Sequence, residues 1–302
     1  MTMIAMVSAK GAPGVTTSVA ALASVWPAPL VVADADPAGG DIVGGWLGAS
    51  AAAGRLRRDR GVFSYATRAR HLGAGAQAML DPHLQPVPGA PNVRLLAGLD
   101  GPEQSRLVDM SDWRRLGRQL ADLGGGGGRT ADVLVDCGRW GADTPWPLLT
   151  AADLVLITVR PQRRYVLLAC PFVTTLRKMI PVERLGLMMC GSTPLRTTET
   201  EHCLGLPAVA ELPEDRHTAR MFSDGGHSVL SWRPSRLLSA AGHAAEQLHS
   251  GARQGTPLPP RLSTSAQRRS TRSEKAVPTD NAGASIDRCG YTADTMSIRG
   301  VI

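Results

Sequence analysis

Three groups of residues in this sequence have the types and spacing that bind phosphate and a divalent cation. The first is segment 10–18, K-G-A-P-G-V-T-T-S, which follows a short apolar run and precedes an alanine-rich stretch. A strand, a glycine loop and a helix in that order bring backbone N–H groups and a helix N-terminus to one point, where they hold phosphate. The segment therefore predicts a phosphate-binding loop, although a βα turn that binds nothing has the same outline.

The loop departs at one position from the general phosphate-binding pattern G-x-x-x-x-G-K-[ST]. That pattern has a lysine directly after its second glycine, whereas here Val15 follows Gly14. The hydroxyl groups of Thr16 and Thr17 remain available to face a Mg²⁺ ion, and Lys10 stands at the opening of the loop. The sequence thus keeps the hydroxyl groups that would face the metal ion and lacks the lysine that would contact the phosphates.

The other two groups are aspartates that follow apolar runs. Leu30 to Ala33 reads as a buried parallel strand and leads into D-A-D-P-A-G at 34–39, while the segment A-D-V-L-V at 131–135, apolar except for Asp132, leads into Asp136. Carboxylates at the carboxyl ends of parallel strands lie where α/β sheets bind ligands, and such a carboxylate can orient the water of a bound Mg²⁺. For the first pair, a turn capped by an aspartate is the alternative.

Together these segments resemble the ParA/MinD family of P-loop ATPases. The loop of that family reads K-G-G-x-G-K-[ST], with an additional lysine at its first position that Lys10 matches; Ala12 and Val15 depart from it. The other segments follow in the family's order: a D-x-D-P strand, then a strand ending in aspartate. After them comes A-A-D-L-V-L-I-T-V-R-P at 151–161, which is similar to the family's A-D-x-V-L-[IV]-[VP] strand. The resemblance covers about residues 3–248. Within the family, the atypical TadZ/CpaE-like branch, which is tied to pilus assembly, is one with which the chain can be compared.

The resemblance implies ATP and Mg²⁺ as ligands and a homodimer as the active form. Lys10 would reach the phosphates bound by the partner, and Asp36 would position the attacking water, so these two are the catalytic candidates. The metal would be held by Thr16, Asp36 and Asp136, partly through water. The residues expected to contact the nucleotide are Gly11, Ala12, Pro13, Gly14, Val15, Thr16, Thr17 and Pro213, the last from a segment that runs beside the base in this family.

Two departures from the family pattern concern catalysis and the base. Without the lysine at position 15 we expect weak or slow ATP handling, because charge-assisted contacts to phosphate are lost. Arg139, in the segment after Asp136, is either a partial substitute or a surface arginine. Cys190 stands where many members of the family have an asparagine that hydrogen-bonds the adenine edge, so base recognition lacks its usual donor and acceptor.

The order of elements predicts an α/β fold, a mostly parallel doubly wound sheet with helices on both faces, over residues 1–250. The sequence pattern also predicts helices from about Val62 to His71, over 106–123 and over 235–248, and residues 51–90 are otherwise expected to be irregular. Apolar residues make up 43% of the 302-residue chain, which is enough for a core of that size. Residues 251–302 are rich in Pro, Ser, Thr and Arg and have no periodicity, which predicts a disordered tail. The tail holds eight Lys/Arg and four Asp/Glu, a net +4 of the chain's +7, and it is a candidate for non-specific DNA binding.

Several classes of protein are excluded or disfavoured by composition. Five scattered cysteines without C-x-x-C spacing indicate reduced thiols and neither a disulfide framework nor a zinc site. No apolar run reaches the roughly 18 residues of a membrane span, and the first residues leave no room for a signal peptide. A cytoplasmic protein is the expectation.

Three functions remain open. The first is a nucleotide-dependent dimer with weak ATPase activity that positions cargo, in plasmid or chromosome partitioning or in placing a secretion or pilus machine. The second is a pseudo-ATPase scaffold of the same fold that acts through a partner protein without hydrolysis. The third, a small-molecule synthetase related to the cobyric acid and dethiobiotin enzymes, is disfavoured because such enzymes depend on the missing lysine.

Overall fold

An eight-stranded sheet forms the centre of the computed structural model, which describes residues 2–10, 14–72, 79–125, 131–191, 195–225 and 235–254. Gly11, Ala12, Pro13 and the tail from residue 255 onward lie outside the described residues. The strands in chain order are β1 Met3–Ser8, β2 Leu30–Asp34, β3 Gln85–Val87, β4 Ala90–Leu96, β5 Asp132–Arg139, β6 Leu154–Val159, β7 Leu185–Cys190 and β8 Ala208–Leu212.

The strands are arranged in the order β3-β4-β2-β5-β1-β6-β7-β8. All neighbouring pairs are parallel except β3 and β4, which are antiparallel. The central strands are buried along their length because their apolar residues face helices on both sides of the sheet. Parallel strands end at the same edge, so the residues that follow β1, β2, β5, β6, β7 and β8 share the carboxyl edge of the sheet.

Ten α-helices surround this sheet in the described part of the chain. They are α1 Val15–Ser24, α2 Gly48–Ala52, α3 Val62–His71, α4 Pro102–Ser105, α5 Met110–Gly125, α6 Trp146–Ala151, α7 Arg163–Met179, α8 Thr197–Leu204, α9 Arg216–Ser223 and α10 Arg236–Gln254. No described helix combines the length and apolarity that a membrane span requires.

The core consists of two apolar clusters, one on each face of the sheet. Alternate residues of β1 show the division, since Met3, Ala5 and Val7 face one cluster and Ile4 and Met6 face the other. The first cluster packs α3, α5, α6, α7 and α8 against the sheet, and the second packs α1, α9 and α10. The predicted mostly parallel, doubly wound α/β fold is therefore confirmed.

Three boundaries differ from those expected from the sequence. Residues 106–109 do not begin the long helix predicted over 106–123, because Asp109 accepts hydrogen bonds from the N–H groups of Ser111 and Asp112 and starts α5 at Met110. Residues 85–87, in a stretch expected to be irregular, form the edge strand β3. The closing helix, predicted to end near Leu248, continues to Gln254.

At the amino edge of the sheet, one buried aspartate joins the two ends of the described chain. Asp132 Oδ1 accepts the Thr2 N–H at 3.0 Å, and its Oδ2 accepts the indole N–H of Trp26 at 3.0 Å. The same Oδ2 lies 2.6 Å from Nδ1 of His249 on α10. Buried carboxylates are costly unless they are paired, and here three groups from distant parts of the chain supply the pairing.

Candidate functional site

The predicted loop connects β1 to α1 at the middle of the carboxyl edge. Gly14 precedes the helix with φ 98°, a left-handed conformation that glycine adopts without strain, and its carbonyl accepts the Ser18 N–H at 2.8 Å. No described side chain caps the first turn of α1. The free N–H groups and the positive end of the helix dipole therefore remain available to an anion at this end of α1. Lys10, at the start of the loop, is exposed.

Val15 does not face the position where a phosphate would lie. Its side chain is only 6% exposed and belongs to the apolar cluster that α1 shares with α10. Thr16 and Thr17, the next residues, are half-buried. The side chain at position 15 therefore serves the core, and the metal-facing hydroxyl group of the pattern is still present at Thr16.

Asp136, near the end of β5, lies beside this turn and is fully buried. Its Oδ1 accepts the Gly138 N–H at 2.8 Å, whereas its Oδ2 has no hydrogen-bond partner among the described residues. Burial raises the pKa of Asp136 to about 6, although the Thr16 hydroxyl group and the Gly138 N–H both lower it. The structure thus brings Thr16 and Asp136 together, and one carboxylate oxygen receives no hydrogen bond from the residues that the structure describes.

Asp36, two residues after β2, reaches the same place from the other side of β5. A Cβ atom at Gly138 would lie 2.1 Å from the Asp36 carboxyl carbon, so only glycine allows this close approach. Burial raises the pKa of Asp36; the Ala38 N–H, which donates to Oδ1 at 2.8 Å, lowers it. The negative charge of Asp41 also raises this pKa and the positive charge of Arg139 lowers it. Arg139 itself is exposed.

Asp34 adds a buried carboxyl group behind Asp36. It lies between Gly40 and Gly98, and its Oδ2 accepts the Ile42 N–H at 3.1 Å. Its Oδ1 has no hydrogen-bond partner within the described part of the chain. Burial, together with the negative charge of Asp136, raises the pKa of Asp34 well above its usual value. Sequence reasoning gave no site role to Asp34 or Asp41, yet the negative charge of Asp41 raises the pKa of both Asp36 and Asp136.

The carboxylate and hydroxyl oxygens that converge here are suited to a Mg²⁺ ion bound mainly through water. Hard divalent cations take carboxylate and hydroxyl oxygens, and Mg²⁺ keeps several of its water ligands. Oδ2 of Asp136 is a buried acceptor to which no described residue donates, and the Thr16 hydroxyl group lies close to that carboxylate, so the two residues fit such an ion. Among the described residues, no group of three or more His, Cys, Asp or Glu side chains forms a ready-made metal cluster.

On the other side of the loop, the strand ends carry a different set of groups. Cys190 ends β7, is buried, and has its Sγ 3.3 Å from the Ser18 Oγ on α1. Arg160 follows β6, and Pro213 follows β8 and is half-buried. The sequence signals identified Cys190 and Pro213 but not Arg160, because a single arginine after a strand has no distinctive pattern.

The sheet is nearly all parallel, a glycine loop connects its central strand to a helix, and carboxylates lie at the ends of the neighbouring strands. These features define an α/β fold of the P-loop type. Neither a protein-family model nor a curated protein matches this sequence.

Solved structures with the same architecture identify the fold more closely. MinD from Pyrococcus horikoshii, complexed with Mg-ADP, is 18% identical, with 84% of this chain and 98% of that chain covered and a TM-score of 0.63. A ParA family ATPase from Chlorobium tepidum is 17% identical, with 81% and 98% covered and a TM-score of 0.63. Cobyrinic acid a,c-diamide synthase from Mycobacterium smegmatis, with an ATP analogue and magnesium, is 22% identical, with 87% and 100% covered and a TM-score of 0.53. The chain therefore has the ParA/MinD type of fold.

Proposed function

We propose that the chain binds a magnesium–nucleoside triphosphate complex, ATP by likeness to its structural neighbours, at the carboxyl edge of the sheet. The observation that carries this proposal is the convergence of Thr16, Asp36 and Asp136 at the N-terminus of α1, with Oδ2 of Asp136 buried and without a donor from any described residue. A buried acceptor without a partner costs free energy unless a ligand satisfies it. The Mg-ADP and ATP-analogue complexes of proteins with this fold support the same ligand class.

The phosphates would lie on the loop and the first turn of α1. The contacts would come from Gly11, Ala12, Pro13, Gly14, Val15, Thr16 and Thr17, and for Val15 through its backbone only, since its side chain is in the core. Thr16, Asp36 and Asp136 would hold Mg²⁺, which when bound neutralises charge on the phosphates. Pro213 would lie beside the base.

Hydrolysis would depend on Asp36 to position the attacking water and on Lys10 to reach the phosphates bound by a second copy of the chain. Lys10 is exposed at the start of the loop, as such a role requires. The absent lysine removes contacts worth about 1.5–3 kcal/mol each. Losing one such contact weakens nucleotide binding about ten- to hundredfold, so we expect slow turnover. The nucleotide-bound dimer would act in the cytoplasm to position cargo, through a partition or pilus/secretion partner and through DNA contacts of the tail 251–302.

One observation favours a second candidate, a scaffold that binds nucleotide or a partner protein without hydrolysis. Val15 is a core residue, and among the described residues of the loop only Lys10 is a lysine. A site that has lost this charge keeps the backbone cradle and loses much of its stabilisation of the transition state.

A Mg²⁺–ATP titration of the purified chain, followed by calorimetry and by phosphate release, tests these proposals. Saturable binding that Thr16→Ala weakens at least tenfold supports the site, and binding that is unchanged by Thr16→Ala contradicts it. Sedimentation with a non-hydrolysable analogue then tests dimerisation: Lys10→Ala should abolish the dimer, while Lys178→Ala, which removes an exposed lysine on α7, should not. Binding without phosphate release favours the scaffold, and no binding at millimolar nucleotide rejects the site.

A further inference from the structure

Arg160, directly after β6, is a charged side chain with a buried donor that no described residue satisfies. Its Nε is inaccessible to solvent and has no hydrogen-bond partner among the described residues. No described carboxylate forms an ion pair with it. Buried polar atoms are hydrogen-bonded in the great majority of cases, so an unsatisfied guanidinium donor at the edge of a candidate site indicates a ligand acceptor.

The surroundings of Arg160 place its side chain over the ends of β6 and β7. The parallel register pairs Val159 with Met189, so Arg160 and Cys190 follow side by side. A Cβ atom at Gly191 would lie 3.9 Å from Nη1 of Arg160. Burial raises the pKa of the Cys190 thiol to about 11, while Ser18 and the positive charge of Arg160 lower it.

A second buried polar group without a partner lies on the same face of β6. Side chains alternate along a strand, so Thr158 and Arg160 face the same side of the sheet as Leu156, toward α1. The Thr158 Oγ1 is buried without a hydrogen-bond partner in the described part of the chain. Since Cys190 contacts Ser18 of α1, these groups lie next to the first turns of that helix.

The position of the carboxylates indicates which part of a nucleotide reaches Arg160. Asp34, Asp36 and Asp136 lie on the β2–β5 side of the loop, where a metal-bound triphosphate would be held. The nucleoside must then extend to the opposite side, over β6 and β7. The strand ends there, 158–161 and 188–191, contain no carboxylate. Arg160 is therefore placed to meet the base.

Guanidinium groups donate hydrogen bonds and never accept them. Guanine and hypoxanthine present two adjacent acceptors, O6 and N7, which an arginine binds with two parallel hydrogen bonds. Adenine presents N7 beside a 6-amino group, which is a hydrogen-bond donor. One of the two contacts would therefore place an arginine N–H against this amino group and would be unfavourable. We infer that Arg160 reads the base of the bound nucleotide and makes the site prefer 6-oxopurine triphosphates over ATP. This inference rests on the proposed nucleotide site and changes only the base that the site selects.

Calorimetric titrations of the full chain with the Mg²⁺ complexes of ATP, GTP and ITP test the inference. GTP and ITP should bind with similar affinity, at least about tenfold more tightly than ATP, the size expected for one bidentate contact. Arg160→Met should weaken GTP and ITP about tenfold and leave ATP within about twofold, removing the preference. Arg163→Met, which changes an exposed arginine at the start of α7, should keep it.

Each outcome decides between the two proposals. ATP binding that equals or exceeds GTP binding overturns the base assignment and leaves the nucleotide site intact. A preference for GTP that survives Arg160→Met also overturns it. Failure of all three nucleotides to bind overturns the site and the base assignment together. If circular dichroism shows that Arg160→Met does not fold, Arg160→Lys replaces it; this variant keeps the charge, loses the two-pronged geometry and should reduce the preference for GTP. The comparison of GTP with ATP on the wild-type chain tests the inference without any variant.

Discussion

Asp132 and Asp136 stand four residues apart on β5, and both are fully buried, yet their surroundings differ. At the amino edge of the sheet, Asp132 has contacts with Thr2, Trp26 and His249 on its two oxygens. At the carboxyl edge, Asp136 accepts one hydrogen bond on Oδ1 and none from a described residue on Oδ2. The first carboxylate is satisfied by the protein, and the second is only partly satisfied.

The difference shows how one strand serves both the fold and a ligand site. A buried carboxylate surrounded by donors stabilises the elements that carry those donors, and removing it leaves the donors without partners. A buried carboxylate without enough donors destabilises the protein in the absence of a ligand, and such strain is found at binding sites. Substitutions at the two positions should therefore change stability in opposite directions.

The largest effect is expected at Asp132. Asp132→Ala leaves the Thr2 N–H, the Trp26 indole and His249 without their shared acceptor and should lower the free energy of unfolding by about 3–5 kcal/mol. Urea denaturation at pH 7 measures this loss. Asp143→Ala, which removes an exposed aspartate, should change it by no more than about 0.5 kcal/mol. A loss of less than about 1 kcal/mol at Asp132 would show that the network contributes little to stability.

The effect of Asp136→Asn on the free energy of unfolding should be opposite in sign to that of Asp132→Ala and smaller. Because the pKa of Asp136 is raised to about 6 by burial, the folded chain holds its proton at pH values where the unfolded chain has released it. Folding stability therefore decreases as pH rises through the window from about 4 to 6. The variant should be more stable than the wild type by about 1–3 kcal/mol at pH 8 without Mg²⁺, and nearly equal to it at pH 4.

The paired measurement at pH 4 and pH 8 serves as the control for Asp136→Asn, since only a titrating carboxylate gives a pH-dependent difference. The same variant should lose Mg²⁺-dependent nucleotide binding. A variant that is destabilised equally at both pH values would contradict the description of Asp136 as an unsatisfied carboxylate.

Trp26→Phe should have the smallest effect of the three. It removes one of the donors to Asp132 and keeps the aromatic ring in the core, so we expect a loss of about 1–2 kcal/mol. Nucleotide affinity, measured by calorimetry, should not change, because the indole lies at the edge of the sheet opposite the loop. A tenfold weaker affinity would mean that the two ends of β5 are coupled.

The sequence predicted the sheet and the main helices because these depend on local patterns. The apolar runs of β1, β2, β5, β6 and β7 mark buried parallel strands, and α3 has the predicted bounds Val62–His71. The start of α5 was misplaced because the apolar periodicity reaches back past Asp109, and only the contacts of its side chain end the preceding turn. The edge strand β3 was missed because three residues that include Pro86 have too little pattern to indicate a strand.

The candidate site could be predicted in part. Thr16, Asp36 and Asp136 follow recognisable strand ends, and their proximity follows from the parallel sheet. By contrast, the partners of Asp132 are 106 to 130 positions away, and no sequence pattern joins them. Arg160 was missed for the same reason, since whether a side chain has a partner is decided by tertiary packing and not by its neighbours in the chain.

The contact between His249 and Asp132 also fixes the direction of α10. The helix begins near Ser235, which contacts Asp215 and Thr218 beyond the end of β8, and it passes His249 at the opposite edge of the sheet. The helix α10 therefore ends, at Gln254, on the side of the molecule that faces away from the loop. A partner held at this end of α10 would lie at the edge of the sheet opposite Thr16 and Asp136 and would leave those two residues unobstructed.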